Sequence, residues 1–407
     1  MKIFQFFFRN FFFRKPILAI ISIILLFITN YLIFTASRAA HSSTEGHLEI
    51  EKINHDGTFI ENLDPESIID PEKISSTNMN DIYNYISSNY NYAFFTDGLI
   101  TNLTNKQDIE VSATYINKKY NEINKFPLYE GNDLSFADTI EEDTEIPILV
   151  GFGLSKEYPL GTHLKIYDPA LERNINIKVV GIMKPNVSHS NYYALDSKQY
   201  YNFSIVIPVN DSYINQANTA FKLNGLMDLI LTETNEQKIS SLKKYIHNKI
   251  NVSFNYYSQQ ENIDFYNEYF YSSMKFIVYI TGALVAIITL LLLWSSISSA
   301  RVMIRDFTIN LLVGLSYKKL RNLLYLYHIG VSTITLVAIF LSTAYSRQNF
   351  WINKESSFVT YGFLGLIEMD WTGIFTVFIF NIFITIITVN ITLRKIQKIP
   401  ISVGVIE

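Results

Sequence analysis

Four apolar runs constrain this chain more than any other feature: roughly Ile17–Ala36, Phe276–Ile297, Leu323–Ala344 and Trp371–Leu393. None contains Asp, Glu, Lys or Arg, and His328 is the only other ionisable group with appreciable charge near neutral pH. A helix rises 1.5 Å per residue and a bilayer core is ~30 Å thick, so ~20 apolar residues make one crossing. Each run is read as a membrane-spanning helix. The first is longer than the ~7–15-residue apolar core of a cleaved signal peptide, so it is read as a retained span despite the small residues of "TASRAAHSS" that follow it.

Lys and Arg near the spans set the orientation. Lys2, Arg9, Arg14 and Lys15 precede the first run. Arg301, Arg305, Lys318, Lys319 and Arg321 lie between the second and third, and Arg394, Lys395 and Lys398 follow the fourth. Arg38–Lys275, in contrast, carries 19 basic and 32 acidic residues. Both termini and the loop between the second and third runs are therefore expected in the cytoplasm, with the long acidic segment outside. The expected location is the cytoplasmic membrane of a bacterium, crossed four times.

The expected fold is a four-span α-helical membrane protein with a large mixed α/β domain between helices 1 and 2. In order, the expected parts are an interfacial helix (1–16), span 1 (17–36), an external α/β domain in two subdomains (38–275), span 2 (276–297), a cytoplasmic loop (298–322), span 3 (323–344), an external loop (345–370), span 4 (371–393) and a cytoplasmic tail (394–407). In "MKIFQFFFRNFFFRKP", Phe and basic residues interleave as in a helix lying in the headgroup layer. Within the external segment, "HLEIEKI" (47–53) and "DIEVSATYI" (108–116) alternate like strands. "IPILVGF", "HLKIYD", "INIKVVGIMKP" and "FSIVIPV" also read as strands. "MNDIYNYISSNYN" (79–91) reads as a helix, as does the segment holding Ile239, Leu242, Ile246 and Ile250. "YYSQQENIDFYNEYFYSSM" is expected to be helical straight into span 2. The chain has no cysteine, so this domain folds without disulfides.

Candidate chemistry is sparse. There is no phosphate-binding loop of the form G-x-x-x-x-G-K-[ST], and no G-x-S-x-G, H-E-x-x-H or C-x-x-C. The seven histidines lie apart without zinc spacing, and "EEDTE" (Glu141–Glu145) lacks the ligand alternation of a calcium loop. No catalytic residue, metal or cofactor is expected, and no nucleic-acid partner. The spans hold no acid or base at bilayer depth, unlike ion-coupled transporters. Energy must then enter from a partner. The loop "RDFTINLLVGLSYKK" offers a place: Ile304, Phe307, Leu311 and Leu312 recur at helical spacing against the membrane, Gly314 breaks the helix, and Ser316 caps the next one.

On these residues the chain resembles the FtsX-like permeases of the MacB type, half-transporters of the ATP-binding cassette class. Their inner loop typically reads R-E-I-G-I-R-x-A-x-G-A. Here Arg305, Ile309 and Gly314 match and Asp306 supplies the acid, whereas Thr308, Asn310 and Leu312 depart from it. Outside, Pro159, Gly161, Ile166, Val179, Val180 and Gly181 follow the family's P-x-G-x-x-[IV]-x-I and V-V-G-V, and "IPISVGVIE" keeps Pro400 and Glu407 of its closing motif. The resemblance implies a mechanotransmitting exporter permease without its own ATPase site. Its implied coupling residues are Arg305, Asp306, Phe307, Ile309, Leu311, Leu312, Gly314 and Leu315. It implies a separate ATPase subunit, a second permease copy or paralogue, an adaptor of the membrane-fusion kind and a peptide, antimicrobial or amphiphilic substrate handled outside. An FtsX-type transmitter that regulates wall hydrolases, or a lipoprotein-extracting permease, would share this topology.

The expected orientation is open to direct test, because any introduced cysteine is unique. A membrane-impermeant maleimide should label Lys165→Cys in intact cells and Lys318→Cys only after permeabilisation. The opposite pattern would invert the topology.

Overall fold

The computed structural model describes residues 16–70, 74–104, 109–137, 144–192, 194–302, 304–353, 358–360 and 365–398. The expected interfacial helix, apart from Pro16, lies outside these residues, as do most of "EEDTE" and the closing motif.

The first described element is helix α1 (Pro16–Ile53). It is followed by β1 (Phe59–Leu63), α2 (Ser76–Asn89), β2 (Asn91–Ala93), β3 (Phe95–Thr104), β4 (Glu110–Ile116), α3 (Lys118–Ile123), β5 (Leu128–Gly131) and β6 (Ile146–Val150). Next come β7 (His163–Asp168), β8 (Arg173–Met183), β9 (Ser188–Asn191), β10 (Ala194–Tyr200), β11 (Ser204–Pro208), α4 (Asp211–Gln216) and α5 (Thr219–Met227). β12 (Ile230–Thr232), α6 (Glu236–Ile250), β13 (Phe254–Ser258) and α7 (Gln259–Phe265) lead, through the π-helical stretch Tyr266–Tyr271, into α8 (Ser272–Val302). The chain continues with α9 (Ile304–Leu312), α10 (Tyr317–Ile352), β14 (Phe358–Thr360) and α11 (Trp371–Gln397).

The chain divides into two compact units. One holds Ser42–Ser272 with Arg347–Glu368; the other holds the chain up to His41, Ser273–Ser346 and everything from Met369. The first is the mixed α/β unit. Its largest sheet orders β3-β4-β11-β6-β8-β5, with β7 also paired to β8. The β4–β11 and β6–β8 pairs are parallel and the others antiparallel. A second sheet orders β13-β1-β12-β2, and a third β14-β10-β9. Continuous apolar strands such as β6 and β11 are central and largely buried, as expected of strands covered on both faces. Helix α6 buries Ile239, Leu242, Ile246 and Ile250, the stripe legible in its sequence, and is capped by the Asn235 side chain.

Two expectations are corrected. His47–Ile53 is not a strand but the end of α1. Ser42, Ser43, Gly46, Glu49 and Ile53 are the buried positions from Ser42 onward, which is helical spacing, while Leu48 is exposed. Seven residues fit both periods, and the helix already running from Pro16 extends without paying for a new nucleus. Tyr256–Ser258, expected to be helical, belongs to β13, which pairs with β1 from Phe59↔Ser258 to Leu63↔Phe254. The helix starts only at Gln259, where Ser258 and Glu261 form a reciprocal capping box.

Among the described residues, the other unit contains four helices long and apolar enough to cross a membrane. Helix association in lipid draws on close packing and polar contacts rather than on the hydrophobic effect, and both occur here. Ser22 bonds Ser295 at 2.9 Å, Asn30 donates to Thr335 at 3.0 Å, and Ser37 donates to Thr376 at 3.1 Å. These bonds link α1 in turn to α8, α10 and α11. Arg38 pairs with Asp370 at 3.7 Å, and Asp370 also accepts from Gly373 N to cap α11. Close to that cap, a Cβ at Gly373 would sit 2.7 Å from the buried Phe34 ring.

Gly373→Leu is therefore expected to force α1 and α11 apart, at a cost of about 1–3 kcal/mol for overpacking. Gly282→Leu, where an added Cβ meets nothing within 4 Å, serves as the control. Thermal unfolding of the full chain in detergent should show a lower midpoint for the first and little change for the second.

Candidate functional site

The turn between α8 and α10 is built by local chemistry. Val313 N bonds Ile309 O at 3.1 Å, Gly314 N bonds Leu311 O at 3.1 Å, and Leu315 N bonds Asn310 O at 2.9 Å. The last two bonds form the paired closure of a Schellman motif. Its pivot is Gly314 at φ +102°, a left-handed conformation that a side chain disfavours, although open space surrounds the position. Ser316 then accepts from Lys319 N at 3.3 Å and starts α10.

Helix α9 has two differently placed apolar faces. Ile304 and Phe307 are buried in one cluster with Leu320 and Leu324 of α10 and Ile396 of α11, and Leu315 packs against its edge. This corrects the expectation that Ile304 and Phe307 face lipid: the protein itself covers them. The opposite face leaves Ile309 42%, Leu312 60% and Val313 83% exposed. These three positions have i, i+3, i+4 spacing and so form one stripe. Arg301, Arg305, Lys318, Lys319 and Arg321 are exposed around it, while Asp306 and Leu311 are half-buried. The stripe is apolar and carries no reactive group; exposed apolar patches of this kind mark contacts with protein or membrane.

The residues of the external motif meet in the α/β unit. Gly161 N bonds Val179 O, and Val179 N bonds Thr162 O, both at 2.9 Å, so the Pro159–Gly161 turn closes on β8. Gly161 takes φ +83°. Between β6 and β8, Ile148 pairs with Val179 and Leu149 with Gly181, which leaves Val180 as the bulged residue. A Cβ on Gly181 would approach Asn132 O to 2.6 Å. These residues shape the scaffold and carry no reactive group. Among the described residues, no group of His, Asp and Glu is placed to hold a metal ion.

The sequence did not point to a buried acid cluster in the same unit. Glu49, on the last turns of α1, accepts from His189 Nδ1 at 2.6 Å, Ser190 N at 3.0 Å and Asn124 Nδ2 at 3.0 Å. One helical turn earlier, Glu45 pairs with Lys198 of β10 at 2.8 Å. Burial pushes the Glu49 carboxyl up, but His189, the Ser190 N–H and Lys198 outweigh it and hold the group below its ordinary range. Burial likewise disfavours the His189 cation, yet Glu49, Asp97 and Asp228 together raise its pKa. Asp97 is pushed up to about 6 by burial. Burial also raises Asp228, and it drives Glu61 well above its ordinary value. Asp97 Oδ2 and Glu61 Oε2 have no hydrogen-bond partner among the described residues.

No family model and no curated protein matches the chain. Among solved structures, the periplasmic region of MacB from Actinobacillus actinomycetemcomitans is similar at TM-score 0.34 and 12% identity, over 54% of this chain and 96% of that one. The extracellular domain of the noncanonic ABC-type transporter YknZ from Gram-positive bacteria is similar at TM-score 0.28 and 14% identity, over 49% of this chain and 98% of that one. Likenesses at this level are too distant to assign a function.

The acid cluster sets a pH dependence. Asp97, Asp228, Glu61 and His189 all have folded pKa values above their ordinary ones, so folding takes up protons and stability falls as pH rises. For Asp97, the contribution present below its ordinary 3.8 is lost as pH passes about 6. Glu49 acts in the opposite sense, but only below its ordinary 4.5. The unfolding midpoint of the full chain should therefore drop between pH ~5 and ~8, and Asp97→Asn should flatten that slope.

Proposed function

We propose that the chain is the permease subunit of an ATP-binding cassette exporter of the FtsX-like, MacB type, working by mechanotransmission. The observation that carries this reading is the exposed stripe Ile309, Leu312 and Val313 on a helix whose other face is locked into the membrane unit by Ile304 and Phe307. A force applied to the stripe enters a packed cluster that includes the start of α10, and the Schellman turn at Gly314 fixes the angle between the two helices. The matching residues Arg305, Ile309 and Gly314 support the same assignment.

In this reading residues 298–322 form the cytoplasmic coupling loop, 38–275 and 345–370 lie outside, and both termini are cytoplasmic. A separate ATPase covers the stripe and closes on ATP, and two permease copies move together. Helix α1 continues past the apolar run to Ile53, and α7 leads through the π-helical stretch Tyr266–Tyr271 into α8, so the chain passes between the spans and the α/β unit at these two segments. That unit handles a peptide, antimicrobial or amphiphile outside, with an adaptor as a further partner.

Leu312→Asp and Val313→Asp place a carboxylate in what would be an apolar contact, at a cost of several kcal/mol without a partner. Both should insert normally and lose co-purification with the cognate ATPase and export in cells. Lys318→Gln should be mild, since an exposed ion pair is worth ~0–1 kcal/mol. Unchanged binding and export in both aspartate variants would reduce the turn to a topology anchor.

A further inference from the structure

A small cavity lies where the four long helices meet. It measures about 30 Å³, and each helix brings a polar side chain to it: Ser22 from α1, Ser296 from α8, His328 and Ser332 from α10, and Thr385 and Thr388 from α11. The rest of the lining is apolar. Every lining residue is buried or half-buried.

Direct contacts use only part of the hydrogen-bonding capacity of these side chains. Ser22 bonds Ser295 at 2.9 Å. Ser296 makes only long contacts, to His328 Nε2 at 3.4 Å and to the Thr392 hydroxyl at 3.3 Å. A hydroxyl offers one donor and two acceptor sites, so capacity is left over. Unlike the Asn381 amide, none of the six polar side chains has an atom that is both fully shielded and unpaired. An occupant of the cavity can therefore reach their spare sites.

Size, charge and polarity select that occupant. A water needs ~10–15 Å³ of such volume and two to four polar partners, so one or two waters fit and no larger molecule does. A metal ion would bring a charge that no carboxylate of the lining offsets. Cavities that stay dry are apolar, whereas a dry one here would leave hydroxyls and an imidazole short of partners.

We infer that this cavity binds one or two ordered waters, which bridge the hydroxyls and the His328 imidazole and so hydrogen-bond α1, α8, α10 and α11 to one another. Leu26, Leu292, Tyr327, Val331 and Ile384 belong both to the lining and to the cluster that buries Ile304 and Phe307 of α9. The water thus sits inside the packing that anchors α9, and a bridging water is nearly as good a partner as a direct bond. The inference rests on the packing of the membrane unit and does not depend on an ATPase or on export.

The test is millisecond X-ray radiolysis of the full chain in lipid nanodiscs, read by mass spectrometry. Radiolysis turns bound water into hydroxyl radical in place, so side chains beside it gain oxygen even where bulk water does not reach. Tyr327, only 9% exposed, should be oxidised, whereas Phe34, which is buried and does not line the cavity, should not. When the chain is mixed with heavy-oxygen water just before exposure, Tyr327 should still take up ordinary oxygen, while the exposed Tyr129 takes up the heavy isotope. His328→Leu combined with Thr388→Val makes the lining more apolar and should abolish oxidation of Tyr327; Thr388→Ser alone should keep it. Oxidation of Tyr129 without Tyr327 in the unaltered chain would show a dry cavity and overturn the inference. Heavy oxygen entering Tyr327 as fast as Tyr129 would show a cleft open to bulk water, and oxidation unchanged in the double variant would place the water elsewhere; either result overturns it too. Any of these failures leaves the coupling-loop reading untouched, because that reading is measured by ATPase binding.

Discussion

Arg38 and Asp370 form the ion pair on which the arrangement of the membrane unit depends. Their side chains are only 6% and 4% exposed, so the pair is buried. Removing one partner of such a pair typically costs several kcal/mol, because the remaining charge stays buried. The pair ties the outer part of α1 to the first turn of α11, and Asp370 holds that turn by capping it at Gly373. Gly373 and Phe34 then bring the helices close enough to pack, and Ser37 and Thr376 add a further bond beside them.

The same need to satisfy polar groups organises the rest of the unit. Serine, threonine and asparagine side chains link α1 to each of the other three long helices. Where the spans turn, the backbone closes its own bonds through Gly314, and Ile304 and Phe307 anchor α9. What the protein leaves unsatisfied is then informative. Among the described residues, the stripe of Ile309, Leu312 and Val313 lacks apolar cover and Asn381 has no hydrogen-bond partner.

In the α/β unit, buried charge gathers where α1 ends. Glu49 and Glu45 lie one turn apart on the helix and bind His189, Ser190 and Lys198 of the β9–β10 region. Within the α/β unit, the end of α1 is held by these buried polar bonds, which fail when geometry shifts. Asp97 and Asp228, both coupled to His189, make this anchorage sensitive to pH.

Local patterns in the sequence determined the four apolar helices, the core strands β6, β8 and β11, the buried face of α6, and the break at Gly314. Each is written in residues within a turn or two of one another, where periodicity and backbone preference act. At His47–Ile53 the local pattern misled, since a seven-residue stretch fits both periods and only the continuing helix resolves it. Tertiary structure alone decided which face of α9 is covered, because Leu320, Leu324 and Ile396 supply the cover. It alone joined Glu49 to His189, 140 residues away, and left Asn381 without a partner while giving one to Asn30, 305 residues from Thr335. No local signal encodes such pairings, because the energy of a buried polar group depends on what the folded chain brings to it rather than on its neighbours in sequence.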